Sequence, residues 1–331
     1  MNIYDIAKKA NVSIATVSRV INKSSNVTEK TRLKVEKVIA DYGYKPSDLA
    51  RGLATKSSKT IGVIIPDIRN SFHGEIAFLI EQKLNAMGFA SIISNSTDSI
   101  SRKEMYIEMM YQKGVDGIIL VGSEFGSDVM SDMFEKISNK IPIVVINGTI
   151  GKKSNYVICD EKKGMKEAFE FLKKKGYQHP IYVSEKSAVC TRASISKENG
   201  YRYAISEVYP ENGAGEIYKV DNKRESYEKL VDIVLMSDGK IDSIQFENDS
   251  IAIKFMNRAL KKGLEIPKKV AIIGFDNIID TNYMIYSIST IDHKVEEMCE
   301  KGVKLLKNLI EGKDVERNIV VAPTFISKET T

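Results

Sequence analysis

From Thr60 onward the chain alternates short apolar runs with amphipathic segments, and that alternation leaves few folds open. "TIGVIIP", "FASIIS", "DGIILVG" and "IPIVVIN" are short, rich in β-branched residues and bounded by turn formers, which reads as buried strands. After the first of them, Ile76, Leu79, Ile80, Leu84 and Met87 recur at helical spacing. The pattern then repeats: "NYVICD", a helix over 161–175, "PIYVS", a helix near 197–208, "EIYKV", a helix over 225–236, "DSIQF", a helix over 250–262 and "KVAIIGF". Strand–helix–strand order predicts right-handed crossovers and parallel sheets covered on both faces. The strands are too many for one ordinary sheet. The expectation is an α/β core of two lobes, each a doubly wound parallel sheet. A helix near 294–311 and the stretch "NIVVAPTF" return to complete the lobes.

Ahead of this core stands "DIAKKANVSIATVSRVIN", residues 5–22. Ile3, Ile6, Ala7 and Ala10 fall on one face of a short helix. Asn2 is placed to cap it, and Asp5 sits in the first turn, where a negative charge suits the helix dipole. "ANVS" breaks the pattern, and Ser13 caps a second helix with apolar positions Ile14, Val17, Val20 and Ile21. Its other face carries Ala15, Thr16, Ser18, Arg19 and Asn22, which are small or hydrogen-bonding and free of acid. Two helices a tight turn apart, the second with such a face, fit an all-α helix-turn-helix domain.

A third helix starts at Thr28, with Leu33, Val35, Val38, Ile39 and Tyr42 as its expected buried positions, and ends at Gly43. "PSDLARGLATKSSKT" then reads as a short helical run followed by a polar linker. Leu49, Ala50, Leu53 and Ala54 keep helical spacing there, but so short a run with an interior glycine is not stable alone. The expected domains are 1–45, a hinge and linker at 46–59, and a core at 60–331. Within the core the lobes fall roughly at 60–160 plus 292–320, and at 161–291 plus 321–331.

Charge supports the division. Residues 1–60 hold 12 Lys+Arg against 5 Asp+Glu, leaving 37 basic and 39 acidic residues in the rest. The basic excess is confined to the segment that carries the helix-turn-helix pattern, as expected where that part alone meets a polyanion. No run of about 18 apolar residues would span a bilayer, and the N-terminus lacks the apolar region of a secretory signal. Cys159, Cys190 and Cys299 are far apart, which speaks against a disulfide framework or zinc site and suits a reducing cytoplasm. His73, His179 and His293 show no metal-ligand spacing.

A doubly wound core also suits nucleotide-dependent enzymes, but their signatures are missing. The first strand–helix turn, "PDIRNSFHG", has no glycine-rich phosphate loop, and neither a P-loop nor a nucleophile elbow occurs in the chain. "GFDN" puts Asp276 just past a strand end, where α/β proteins collect ligands. A contact to a sugar or nucleobase and a simple turn cap both account for it. A secreted sugar-binding transport component shares the two-lobed shape, and residues 1–60 count against it.

"YDIAKKANVSIATVSRVIN", "KTRLKVEKVIADYGYKP", "ARGLATKSSKTIGVIIPDI", "NDSIAI" and "VAIIGFDN" occur here in that order. By these stretches the chain resembles, over essentially its full length, the lac repressor family of bacterial transcription regulators. Residues 44–76 are similar to the catabolite-control subgroup of that family. The resemblance implies a periplasmic-binding-protein-like core, a homodimer on near-palindromic double-stranded operator DNA, and an effector between the lobes. It implies no catalytic residue, no cofactor and no metal, and it carries no membrane association. The family's base-reading positions fall on Ile14, Ala15 and Arg19, with Ser13, Thr16, Ser18 and Asn22 towards phosphates or adjacent bases. Leu53, with Ala50 and Ala54, falls on the minor-groove hinge.

Effector positions fall on Phe72, His73, Lys197, Asn222, Asn248, Asp276 and His293. Lys197 replaces a common Arg, Asn222 a common aromatic residue and His293 a common Gln. A sugar, a sugar phosphate or other anion, and the absence of a small effector are all left open by these departures. In the catabolite-control subgroup a serine-phosphorylated carrier protein docks on a helix that maps to 295–308, where Glu297 and Lys304 keep the charge type.

Overall fold

The structure is a computed structural model that describes residues 2–21, 25–44, 57–97, 99–122, 131–150, 154–186 and 191–331. It divides into two compact units, 1–59 and 60–331. The first is built from α1 (Ile3–Ala10), α2 (Ile14–Ile21) and α3 (Glu29–Asp41). Asn2 and Asp5 form a reciprocal capping box on α1, with Asn2 Oδ1 accepting from Tyr4 N and Asp5 N and Asp5 Oδ2 accepting from Asn2 N. Ile6, Ala7, Ala10, Val17, Val20 and Val35 close a small core. Leu33 and Tyr42, expected inside, are 58% and 51% exposed. A three-helix unit of this size has room for one apolar stripe from α3. Tyr42 instead serves Lys9, whose Nζ donates to its hydroxyl at 3.0 Å.

The second unit holds two six-stranded sheets with one winding. The first contains β1 (Thr60–Ile65), β2 (Ala90–Asn95), β3 (Gly117–Val121), β4 (Ile143–Ile146), β5 (Asn155–Cys159) and β11 (Asn318–Val321), in the order β11-β5-β4-β3-β1-β2. The second contains β6 (Pro180–Glu185), β7 (Glu216–Val220), β8 (Ser243–Phe246), β9 (Ala271–Phe275), β10 (Ser289–Asp292) and β12 (Thr324–Ile326), in the order β12-β10-β9-β8-β6-β7. All pairings are parallel except β10 with β12. "NIVVAPTF" is therefore two strands, one for each sheet. Ala322 and Pro323 part them, since proline has no N–H to offer a ladder.

Helices cover the sheets: α4 (Ser71–Ala86), α5 (Ile100–Gln112), α6 (Ser131–Ser138), α7 (Glu161–Lys175), α8 (Arg192–Val208), α9 (Arg224–Met236), α10 (Asp249–Lys261) and α11 (Val295–Ile310). The helix expected near 197–208 begins earlier, at Arg192, with Thr191 as its cap. Two helices change lobe. α7 leaves β5 of the first sheet but packs Met165, Ala168, Phe169 and Leu172 into the core of the second, with Tyr201 and Ile273. α11 leaves β10 of the second sheet and packs Met298, Cys299, Val303 and Leu306 into the first, with Ile146 and Val157. Both approaches are close: a Cβ on Gly164 would lie 2.6 Å from Ile291 Cγ2, and one on Gly302 2.5 Å from Ile146 Cδ1. These crossings bring the C-terminal ends of both sets of strands to one connection region, the part of a doubly wound fold that collects ligands.

Candidate nucleic-acid interface and ligand cleft

In the first unit, Ser13 Oγ accepts from Thr16 N at 3.1 Å and lies 2.9 Å from Thr16 Oγ1, fixing the start of α2. Val17 and Val20 turn inward, while Ile14 is 41% exposed and Ala15 and Arg19 face solvent. Ile14 therefore belongs to the outward face and not to the core stripe. Thr16 and Ser18 are half-buried beside them. A cavity of about 460 Å³ next to α2 is lined by Ser13, Thr16, Arg19, Asn26, Thr28 and Thr31. With Val12 and Val27 also on the lining, it sets hydroxyls, an amide and one guanidinium among apolar groups, and the polar ones are donors that phosphates and base edges accept from. Thr28 and Thr31 join this surface; the sequence marked Thr28 only as a helix start and gave no sign of Thr31. Asn22, Ala50, Leu53 and Ala54 lie outside the described residues.

The second unit builds its site where β9 ends. Past Phe275 the backbone runs through Asp276 at φ 104° and Asn277 at φ 58°, two successive residues in the left-handed region. Each such residue costs on the order of 1–3 kcal/mol, so the surroundings must hold them. Asp276 N donates to Ile291 O at 2.9 Å, and Asn277 N to Thr290 Oγ1 at 3.3 Å. Beneath them, the fully buried Asp249 accepts from Thr290 Oγ1 at 2.7 Å and from Ile278 N at 2.9 Å. Gly274 makes room for it, because a Cβ there would fall 1.9 Å from Asp249 Oδ1. Burial, reinforced by the charge of Asp276, pushes the Asp249 carboxyl up to about 8.

Asp276 itself faces Lys197, whose Nζ donates to Oδ1 at 2.9 Å, and His293, whose Nδ1 stands 3.0 Å from the same oxygen without hydrogen-bond alignment. Lys197 also donates to Glu247 O at 3.0 Å and stands 4.2 Å above the Phe275 ring. Burial alone would drive the Asp276 carboxyl up. Lys197, and after it His293, outweigh burial and hold it below the usual carboxylate range. Burial likewise works against the charge of Lys197, yet Asp276 and Glu247 keep the ammonium above its ordinary value. The pair is ionised inside the protein. His293 is fully buried between Phe275 and Phe72, at ring-centroid distances of 4.7 and 5.2 Å. Its Nε2 has no hydrogen-bond partner among the described residues. At the end of β4, the buried Asn147 also leaves Oδ1 without one there.

The sequence-derived positions therefore do not all converge. Phe72, Lys197, Asp276 and His293 form one cluster, and His73 follows with its ring 5.7 Å from that of Phe72. Asn248 caps α10, its Oδ1 accepting from Ile251 N at 3.0 Å. Asn222 is exposed and accepts from Lys254 Nζ at 2.7 Å, which ties it to α10 instead of to the cluster. Asp249 and Phe275 were missed, although they are the neighbours of Asn248 and Asp276 in "NDS" and "GFD". A cavity of about 660 Å³ opens beside Phe72 and Asp276, with Glu75, Asp292, Glu296 and Glu300 on its lining. On α11, Glu297 and Lys304 are exposed, and Lys301 Nζ lies 2.8 Å from Glu297.

Comparison with known proteins places both units. Residues 2–47 match the family described as bacterial regulatory proteins, lacI family, and residues 58–329 match the periplasmic binding proteins and sugar binding domain of LacI family. The chain is 31% identical to the sucrose operon repressor of Streptococcus mutans, covering 98% of each protein. It is 31% identical to catabolite control protein A of Staphylococcus aureus, covering 100% of this chain and 99% of that protein. Among solved structures, a lac repressor dimer bound to operator and the anti-inducer ONPF superposes with a TM-score of 0.87 at 22% identity, over 100% of this chain and 99% of that one.

Proposed function

Because this chain belongs to the lacI family of bacterial regulatory proteins, and is thus a DNA-binding transcription regulator and no enzyme, we propose that it represses carbohydrate-use genes in response to a neutral sugar. It does so in the cytoplasm as a dimer on a near-palindromic operator, each protomer placing α2 in one half-site. Arg19 takes the guanine edge, Ile14 and Ala15 make apolar base contacts, and Ser13, Thr16, Ser18 and Asn22 serve phosphates or adjacent bases. Leu53, with Ala50 and Ala54, is the minor-groove element. The effector sits at Phe72, His73, Lys197, Asp276 and His293, with Asn248 and Asn222 left to hold α10.

The observation that carries the sugar reading is the internal pairing of Lys197. Its ammonium is already met by Asp276 and by Glu247 O. An anionic effector would have to displace a buried carboxylate, whereas a hydroxyl can accept the ammonium's third N–H and donate to the second carboxylate oxygen with the pair intact. Gel shifts on genomic fragments, with and without ribose, glucose, sucrose and glucose 6-phosphate, test this. Operator binding that responds to a neutral sugar supports it, and a response to the phosphorylated sugar alone refutes it. Arg19→Ala relaxes preference at one symmetric pair of operator positions, by about 1–3 kcal/mol. An unchanged binding logo would overturn the register of α2.

A second reading, docking of a serine-phosphorylated carrier protein on α11, has the exposure of Glu297 and Lys304 in its favour. Retention of this chain on an immobilised phosphorylated carrier, lost in Lys304→Glu, is its test.

A further inference from the structure

Apart from the Lys197–Asp276–His293 cluster, a cavity of about 350 Å³ lies between the β5–α7 turn and one face of α8. Glu161, at the first position of α7, lines it and is only 4% exposed. Its Oε1 has no hydrogen-bond partner among the described residues, and neither does the buried Nη1 of Arg192 across the cavity. The two atoms stand 4.0 Å apart, where a charge-assisted bond closes to about 2.7–2.9 Å. A carboxylate as buried as that of Glu161 is costly to leave unmet. The helices cannot slide together to close it, because α7 and α8 already touch: a Cβ on Gly200 would meet Met165 Cγ at 3.1 Å and Lys162 Cα at 3.3 Å.

An oxygen about 2.8 Å from each atom fits the gap. It must donate to the carboxylate and accept from the guanidinium. A hydroxyl does both, whereas an ionised phosphate has no proton to give and an ammonium has no lone pair. Charge on the lining balances, with Asp160 and Glu161 against Lys162 and Arg192, and the Cys159 thiol is kept neutral by burial, which drives its pKa far up. Ser196 and Asn199 add a hydroxyl and an amide on the α8 side. The volume is at the lower end of small-molecule sites, about 300–1,000 Å³.

We propose that Glu161 and Arg192 anchor a hydroxyl-binding subsite for one neutral sugar ring. It rests on the sugar-effector reading and extends it. Lys197 follows Ser196 on α8, and the charge of Glu161 helps keep its ammonium ionised, so both places share one field.

Isothermal titration of the full-length protein with ribose, xylose, glucose, galactose, sucrose and cellobiose tests the proposal, with glucose 6-phosphate as the anionic control. Each variant is checked by its melting curve to be folded at the titration temperature without sugar. Glu161→Gln and Arg192→Gln weaken the neutral sugar that the wild type binds by fivefold or more. If Glu161→Gln does not fold, the more exposed Arg192 carries the test together with Asn199→Ala. Weakening of less than fivefold in these variants, with loss in Asp276→Asn, overturns the subsite and leaves the effector reading intact. Loss in the Glu161 and Arg192 variants with full affinity in Asp276→Asn supports the subsite and overturns the Asp276 cleft. A wild type that binds none of the neutral sugars, its cavity filled by water alone, overturns both.

Discussion

Asp249 holds its proton where a surface carboxylate would not, and that sets a direction for stability against pH. Its carboxyl sits at about 8 in the folded protein against an ordinary value of 3.8. Between those values the folded chain keeps a proton that the unfolded chain has released. Stability from this group is therefore full below about pH 4, falls as pH rises towards 8, and is level above it. Asp249→Asn keeps the shape and removes that slope, so denaturation midpoints between pH 5 and 9 should lie flatter than in the wild type. A slope equal to the wild type's would place the titration elsewhere. Lys197 and Asp276 behave as a unit. Lys197→Met or Asp276→Asn alone strands a buried charge, at a cost of about 3–5 kcal/mol. The double variant should lose clearly less than the sum of the two, as read by urea unfolding. Residues of this kind were half legible in the sequence. Position past a strand end exposed Asp276, but nothing in "NDS" distinguished Asn248, which caps a helix, from Asp249, which lies under the turn at Asp276 and Asn277. Asn222 failed for the complementary reason, since Lys254, 32 residues away in sequence, holds it aside.

Helices and strands were more legible than single roles, because periodicity survives averaging over a dozen residues. The run Ile76, Ile80 and Leu84 marks the buried face of α4, as its spacing requires. Where α3 differed, the reason is size, for Leu33 had no second layer to meet. The strand β10 escaped notice because "SISTID" is polar in composition, the Thr290 hydroxyl buried through its bond to Asp249 and the Ser289 hydroxyl through bonds with Thr331 Oγ1 and Lys328 N instead of through apolar contact. Glycines at element contacts follow from geometry that no pattern reveals. Gly302→Ala pushes a methyl against Cδ1 and Cγ1 of the buried Ile146 and should cost about 1–3 kcal/mol. Gly274→Ala drives one into the Asp249 carboxyl group, which is held by two hydrogen bonds, and should cost more. Thermal melts of the two variants side by side decide the order, and a milder Gly274→Ala would show that Asp249 is free to move.

At the scale of the whole molecule, regulation requires that a ligand in the core bias what the first unit does, which is a coupling between two sites and reciprocal by necessity. Leu53 tests the proposed hinge between them. As a wedge between base steps it would unstack and kink the operator. Leu53→Ala should lose most of the DNA bend in a circular-permutation assay while keeping sugar affinity, and a wild-type bend angle would reduce the segment to a tether. Signalling aside, the lobe-crossing path constrains how the protein comes into being. β11 completes the first sheet and β12 the second, with two residues between them. During synthesis, therefore, neither lobe has its full complement of strands until residues 318–326 have left the ribosome, although the first lobe began some 250 residues earlier at Thr60. Until then both sheets wait with an open edge, the state in which unpaired strands aggregate. The chain locks its two halves in one late event, and a ribosome stalled before Asn318 would be expected to hold two protease-sensitive lobes at once instead of one finished and one unfinished.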